Sequence, residues 1–77
     1  MKEILETLIK SLVENENEVT ITEKEEERNI TFEVRVAESD LGKVIGKQGR
    51  IAKSIRTIMK SIAGKEQKRI NVEFIED

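Results

Sequence analysis

The stretch that decides the fold is Leu41-Gly42-Lys43-Val44-Ile45-Gly46-Lys47-Gln48-Gly49-Arg50-Ile51-Ala52-Lys53-Ser54-Ile55. Two helical patterns meet in it almost without spacing. On the N-terminal side, Leu41, Val44 and Ile45 share the buried side of a short helix that Ser39 or Asp40 can cap. On the C-terminal side a helix is expected over roughly residues 50–63. Its isoleucines Ile51, Ile55, Ile58 and Ile62, widened by Ala52 and Met59, read as core, with Lys53, Arg56 and Lys60 on the opposite face. Between the two helices, Gly46 and Gly49 bracket a tight turn and let the backbone approach a partner closely. The turn opens directly onto a helix N-terminus, where unpaired N–H groups and the helix dipole favour phosphate. Lys47 and Arg50 add full charges there, and Lys43 and Lys53 lie about one turn away on either side.

Upstream, Ile30, Phe32, Val34 and Val36 alternate with Thr31, Glu33 and Arg35, the clearest period of two in the chain and a strand with one covered face. A shorter strand is expected where Val19 and Ile21 alternate with Thr20 and Thr22. The charged run from Lys24 to Arg28 reads as the connection between them, with Glu25, Glu26 and Glu27 at a solvated tip. The first helix is expected over residues 2–14, with Ile4, Leu5, Leu8, Ile9, Leu12 and Val13 on one face and Asn15 and Asn17 as terminators. Downstream, Gly64 stops the long helix, and Lys60 and Lys65 sit near the negative end of its dipole. A last strand turns Ile70, Val72 and Phe74 inward, against Asn71 and Glu73. Three amphipathic helices and three one-sided strands pack as an α+β domain over residues 1–77, with the helices on one face of a three-stranded sheet. Thr31, Glu33, Arg35, Asn71 and Glu73 then meet water, and the order of the strands stays open.

Composition narrows the chemistry. The chain has neither cysteine nor histidine, which removes disulfides, thiolate metal sites and the commonest general base, and no cofactor or metal is expected. The acids fall mostly on exposed faces, and 77 residues are too few to build a deep cleft around them, so the chain does not read as an enzyme. No apolar run is long enough to span a membrane, and acids interrupt the N-terminal apolar positions, so a signal peptide is not expected and the cytoplasm is the expected location. The net charge of −2 conceals a segregation: residues 1–42 carry −7, whereas residues 43–69 carry +8. The basic segment is a candidate face for an anion, weighed against a plainly solvated helix surface. The only aromatics, Phe32 and Phe74, occupy inward positions, so none is spare for the exposed stacking that many RNA-binding sheets use.

The run Val44-Ile45-Gly46-Lys47-Gln48-Gly49 followed by Arg50-Ile51-Ala52-Lys53-Ser54-Ile55 resembles the KH signature, a helix ending in an aliphatic pair and glycine, two variable residues, glycine and a second helix. The element order αββααβ is similar to the type II, bacterial arrangement. The whole chain looks most like the small bacterial single-KH RNA-binding proteins of the KhpA (YlqC-like) family. One departure from the broader KH pattern is Ala52, where many KH domains carry a larger aliphatic, and it bears on the shape of the base groove. The resemblance implies a clamp on about four nucleotides of single-stranded RNA, with the GxxG loop against the backbone. By position, Gly46, Lys47, Gln48 and Gly49 would touch phosphates, and Arg50, Lys43 and Lys53 would add ionic contacts. Val44, Ile45, Ile51 and Ala52 would form the aliphatic rim for bases, with Val36 and Ala37 on the far side of the groove. It also implies an RNA chaperone or post-transcriptional role, as a homodimer or beside a larger KH-containing protein.

One other function is rejected and a second competes. The segment from Gly42 has the outline of a P-loop, but only three residues separate the glycines instead of four, and Gln48 stands where Ser or Thr should hold magnesium. A protein-interaction module with secondary nucleic-acid binding, single-stranded DNA included, is the alternative to an RNA clamp. The polar stripe Ser54, Thr57 and Ser61 could admit a second subunit closely or simply be exposed.

Overall fold

A computed structural model describes residues 1–64 and 68–76. Lys65, read above as a cation at a helix end, lies outside the described residues. Among the described residues the order is α1 (Lys2–Leu12), β1 (Thr20–Glu25), β2 (Asn29–Arg35), α2 (Leu41–Ile45), α3 (Arg50–Ala63) and β3 (Arg69–Phe74). Single 3₁₀ turns at Glu16–Glu18, Glu38–Asp40 and Lys47–Gly49 join them. This is the expected αββααβ order.

The strands lie in the order β1-β2-β3. β1 pairs antiparallel with β2 through a tight turn, and β3 pairs parallel with β2 after the α2–α3 crossover that a parallel pair requires. Phe32 is the pivot, opposite Glu23 on one side and Val72 on the other. The inward positions Ile21, Ile30, Phe32, Val34, Ile70 and Val72 meet Leu5 and Ile9 of α1, Val44 of α2 and Ile55, Met59 and Ala63 of α3 in one core.

Four expectations need correction. First, β1 runs on through Glu25 instead of yielding to a loop at Lys24. Backbone pairing with β2 needs no apolar side chain, and the Lys24 ammonium reaches the Glu33 carboxylate at 3.4 Å across the strands. Second, β2 ends at Arg35, so Val36 lies just beyond the strand. Third, α1 ends at Leu12: Val13 is extended, and the N–H groups of Glu14 and Asn15 donate to the Asp40 carboxylate. Asp40 stands at the N-terminus of α2 but makes no capping bond to its own helix.

The fourth correction concerns the isoleucine stripe of α3. Ile55 is buried and Ile51 half-buried, but Ile58 and Ile62 are 42% and 36% exposed. The buried line is Ala52, Ile55, Met59 and Ala63. At 100° per residue it is turned by roughly 70° from the isoleucine line. Ala52 and Ala63 let the helix axis approach the sheet, and the bulkier Ile58 and Ile62 are left on its flank.

Candidate nucleic-acid interface

The loop joining α2 to α3 has a backbone that few sequences can adopt. Gly46 has φ 76° and ψ 176°, Gln48 φ 57° and ψ 25°, and Gly49 φ 72° and ψ 17°. A non-glycine residue in the left-handed region is uncommon and is tolerated where the surroundings hold it. The turn is closed by the Gly49 N–H donating to the Gly46 carbonyl at 3.2 Å, and the Gly46 N–H finishes α2 by donating to the Gly42 carbonyl at 2.9 Å. α3 begins on Gly49 with no side-chain cap, so the N–H groups of its first turn stay open to an outside acceptor. A Cβ on Gly46 would stand 2.7 Å from Ile51 Cγ1, so the loop and α3 are in close contact there.

Lys47, Gln48, Arg50 and Lys53 are exposed around this turn. Lys47, Arg50 and Lys53 form no ion pair with any described residue. Arg50 and Lys53 line a shallow depression with Ser54, Thr57 and Ile58. Lys43 is placed differently: its ammonium lies 2.9 Å from Glu14 and 3.3 Å from Asp40. The Glu14 hydrogen bond raises the Lys43 pKa above its usual value, with burial opposing it and Asp40 reinforcing it.

The apolar candidates divide. Ile45 and Ile51 are half-buried beside the loop, whereas Val44 and Ala52 are buried in the layer beneath and present almost no surface to a base. Val36 and Ala37 line a separate depression with Leu41, Ile75 and three carboxylates, Glu18, Glu38 and Glu76. No loop residue lines that depression, and its acidic rim repels phosphate.

Two placements were not legible in advance. The Arg56 guanidinium lies over the Phe74 ring at 5.6 Å, and its Nε donates to the Val72 carbonyl at 3.0 Å, so this cation lies across the open edge of β3. Asp40 is the only buried charged side chain among the described residues.

The KhpA/KhpB KH-domain family model matches residues 2–74. The chain belongs to this family. Relatives named RNA-binding protein KhpA come from Clostridium acetobutylicum, 56% identical over 97% of this chain and 100% of the relative, and from Caldanaerobacter subterraneus, 49% identical with the same coverage. A third, from Aquifex aeolicus, is 47% identical over 99% of this chain and 96% of the relative. Their names state a binding activity and no catalytic one, in keeping with the non-enzyme reading. No solved structure gives a significant match. The three helices on a mixed three-stranded sheet are those of a type II KH domain. Among the described residues no helix is long and apolar enough to cross a membrane.

Asp40 ties the GxxG helix of this KH domain to the segment that follows α1. Its two oxygens accept the Glu14 N–H (3.2 Å), the Asn15 N–H (2.9 Å), the Asn15 side-chain amide (3.1 Å) and the Lys43 ammonium (3.3 Å). The Asn15 backbone bond does most to lower its pKa from the usual 3.8 to about 2; burial opposes this, and the Glu14 N–H and Lys43 assist. A carboxylate with a depressed folded-state pKa contributes stability above its unfolded value and loses it as pH falls through the folded one. The melting temperature should therefore fall as pH drops from about 4 to about 2, the interval between the usual and folded-state values. Asp40→Asn should melt lower at neutral pH and show a flatter slope in that interval. Parallel acid profiles of the two proteins would contradict this role.

Proposed function

We propose that this protein clamps single-stranded RNA through Gly46-Lys47-Gln48-Gly49, as an RNA chaperone or post-transcriptional regulator in the cytoplasm. The relatives are named as RNA-binding proteins, and in this chain a GxxG turn joins two helices. The observation that carries the assignment is the coincidence of three cations without an ion pair among the described residues, Lys47, Arg50 and Lys53, with an uncapped helix N-terminus behind a left-handed turn. Phosphates meet the loop backbone, Lys47 and Arg50, with Lys53 one turn further on. Bases rest on Ile45 and Ile51, which Val44 and Ala52 support from below. Arg56 lies on the same helix as Arg50 and Lys53, at the edge of β3, where a planar cation can stack on a base.

The test is titration of a labelled single-stranded RNA pool at two salt concentrations, with single-stranded DNA in parallel. Binding that weakens with salt and is stronger for RNA supports the clamp. Equal binding of DNA moves the assignment to single strands in general, and no binding removes it.

A four-nucleotide module binds weakly, and pairing raises its effective concentration. We propose a homodimer built on the flank of α3. Ile58 and Ile62 are exposed there, and the Ser54 and Thr57 hydroxyls donate to the Arg50 and Lys53 carbonyls of their own helix, so a second copy can cover them without stranding a polar group. A dimer mass by light scattering at micromolar concentration is expected. A monomer mass there would leave a larger KH-containing protein as the candidate for this face.

A further inference from the structure

Around the loop, Lys47, Arg50 and Lys53 carry no ion-pair partner among the described residues, while Lys43 carries two. Those two are unequal. Asp40 is fully buried, and its oxygens are already occupied by the Glu14 and Asn15 N–H groups and the Asn15 side chain. Glu14 is 80% exposed, and its carboxylate makes the shorter contact, 2.9 Å against 3.3 Å. Glu14 serves the α1–α2 junction only through its backbone N–H. Among the described residues, its side chain makes one polar contact, which is to hold Lys43.

We propose that Glu14 is an affinity-setting residue of the clamp, occupying the Lys43 ammonium in place of an RNA phosphate. Lys43 lies three residues before Gly46, within a single helical turn of the loop. An exposed ion pair is weak and salt-screened, so it exchanges readily for another anion. A phosphate is such an anion, and its binding also releases counterions from the strand. In the RNA-free protein Glu14 and Asp40 hold Lys43, and Glu14 competes with the phosphate for it, so the wild-type complex makes this contact less than fully. This inference rests on the clamp assignment.

The experiment is a cycle of Glu14→Gln, Lys43→Gln and the double variant, titrated with the labelled single-stranded RNA pool over a salt series, with thermal melts to confirm folding. Glu14→Gln keeps the backbone bond to Asp40 and should bind RNA tighter by roughly threefold at low salt, the scale of one surface ion pair. Its log affinity should fall more steeply with log salt, by up to about 0.7, the value for one phosphate contact on a single strand. In the Lys43→Gln background the Glu14→Gln change should add nothing, because the cation it releases is gone. The proposal is overturned if Glu14→Gln binds as the wild type does. It is equally overturned if the gain persists without Lys43, which would make it a general charge effect. In either case salt-sensitive wild-type binding leaves the clamp standing. Wild-type protein that shows no salt-sensitive binding removes both.

Discussion

Lys47→Asp/Gln48→Asp is expected to fold as the wild type does and to lose salt-sensitive RNA binding. Both side chains are exposed and make no hydrogen bond or ion pair with a described residue, so their replacement removes no internal contact. Gln48 sits at φ 57°, a region in which aspartate is found more readily than most residues, so the second change adds no backbone strain. Both glycines remain, and the turn keeps its shape. The loop passes from one positive charge to two negative ones, facing the phosphates that the wild type would hold. Losing a single strand contact lowers the salt slope by about 0.7, and the two acids add repulsion, so affinity should fall by more than about tenfold. Fluorescence anisotropy with the RNA pool measures this, and a circular-dichroism melt checks the fold. A folded variant that binds like the wild type would remove the loop from the interface and favour the interaction-module alternative.

The two loop glycines should respond unequally to substitution. Gly46 combines φ 76° with ψ 176°, a region almost restricted to glycine, and an added Cβ would meet Ile51 Cγ1 at 2.7 Å. Gly46→Ala is expected to cost about 1–3 kcal/mol. That is a large share of the roughly 4–12 kcal/mol expected for a chain of this size. Because Ile51 lies in the first turn of α3, relieving the clash moves the helix start, and RNA affinity should fall as well. Gly49 instead has φ 72° and ψ 17°, ordinary left-handed helical values that asparagine accepts, and a Cβ there meets nothing within 4 Å. Gly49→Asn should melt within a few degrees of the wild type. Equal melting temperatures for Gly46→Ala and Gly49→Asn would show that Ile51 gives way freely and that the loop geometry is less constrained than its angles suggest.

The loop and the element order were legible because both are local. A glycine pair between two apolar periodicities, and the strict alternation from Ile30 to Val34, need no knowledge of what lies across the core. What escaped was decided at a distance. Asp40 looks like a helix cap in sequence, yet its partners lie 25 and 26 residues upstream. Lys43 looks like its neighbours Lys47 and Arg50, and only the packing of α1 brings Glu14 to it. Arg56 finds the β3 edge across 16 residues. Ile58 and Ile62 carry an apolar signal as strong as that of Ile55, but two alanines decide which face of α3 approaches the sheet. The last part of β1 has no apolar signal, because its place depends on backbone pairing with β2.

The two seams of the sheet close over very different lengths of chain. Glu23 pairs with Phe32 after nine residues, and Phe32 pairs with Val72 after forty. Contacts that close short loops form early, while distant ones must first meet a larger entropic cost. The β1–β2 hairpin can therefore assemble while the rest of the chain is still being synthesised. The GxxG loop lies inside the longer closure, and the α3 residues behind it, Ile55, Met59 and Ala63, share one core with Ile70 and Val72 of β3. A ribosome must release residues through Phe74 before β3 can dock, so among the described elements the core beneath the loop is completed by the last strand to emerge.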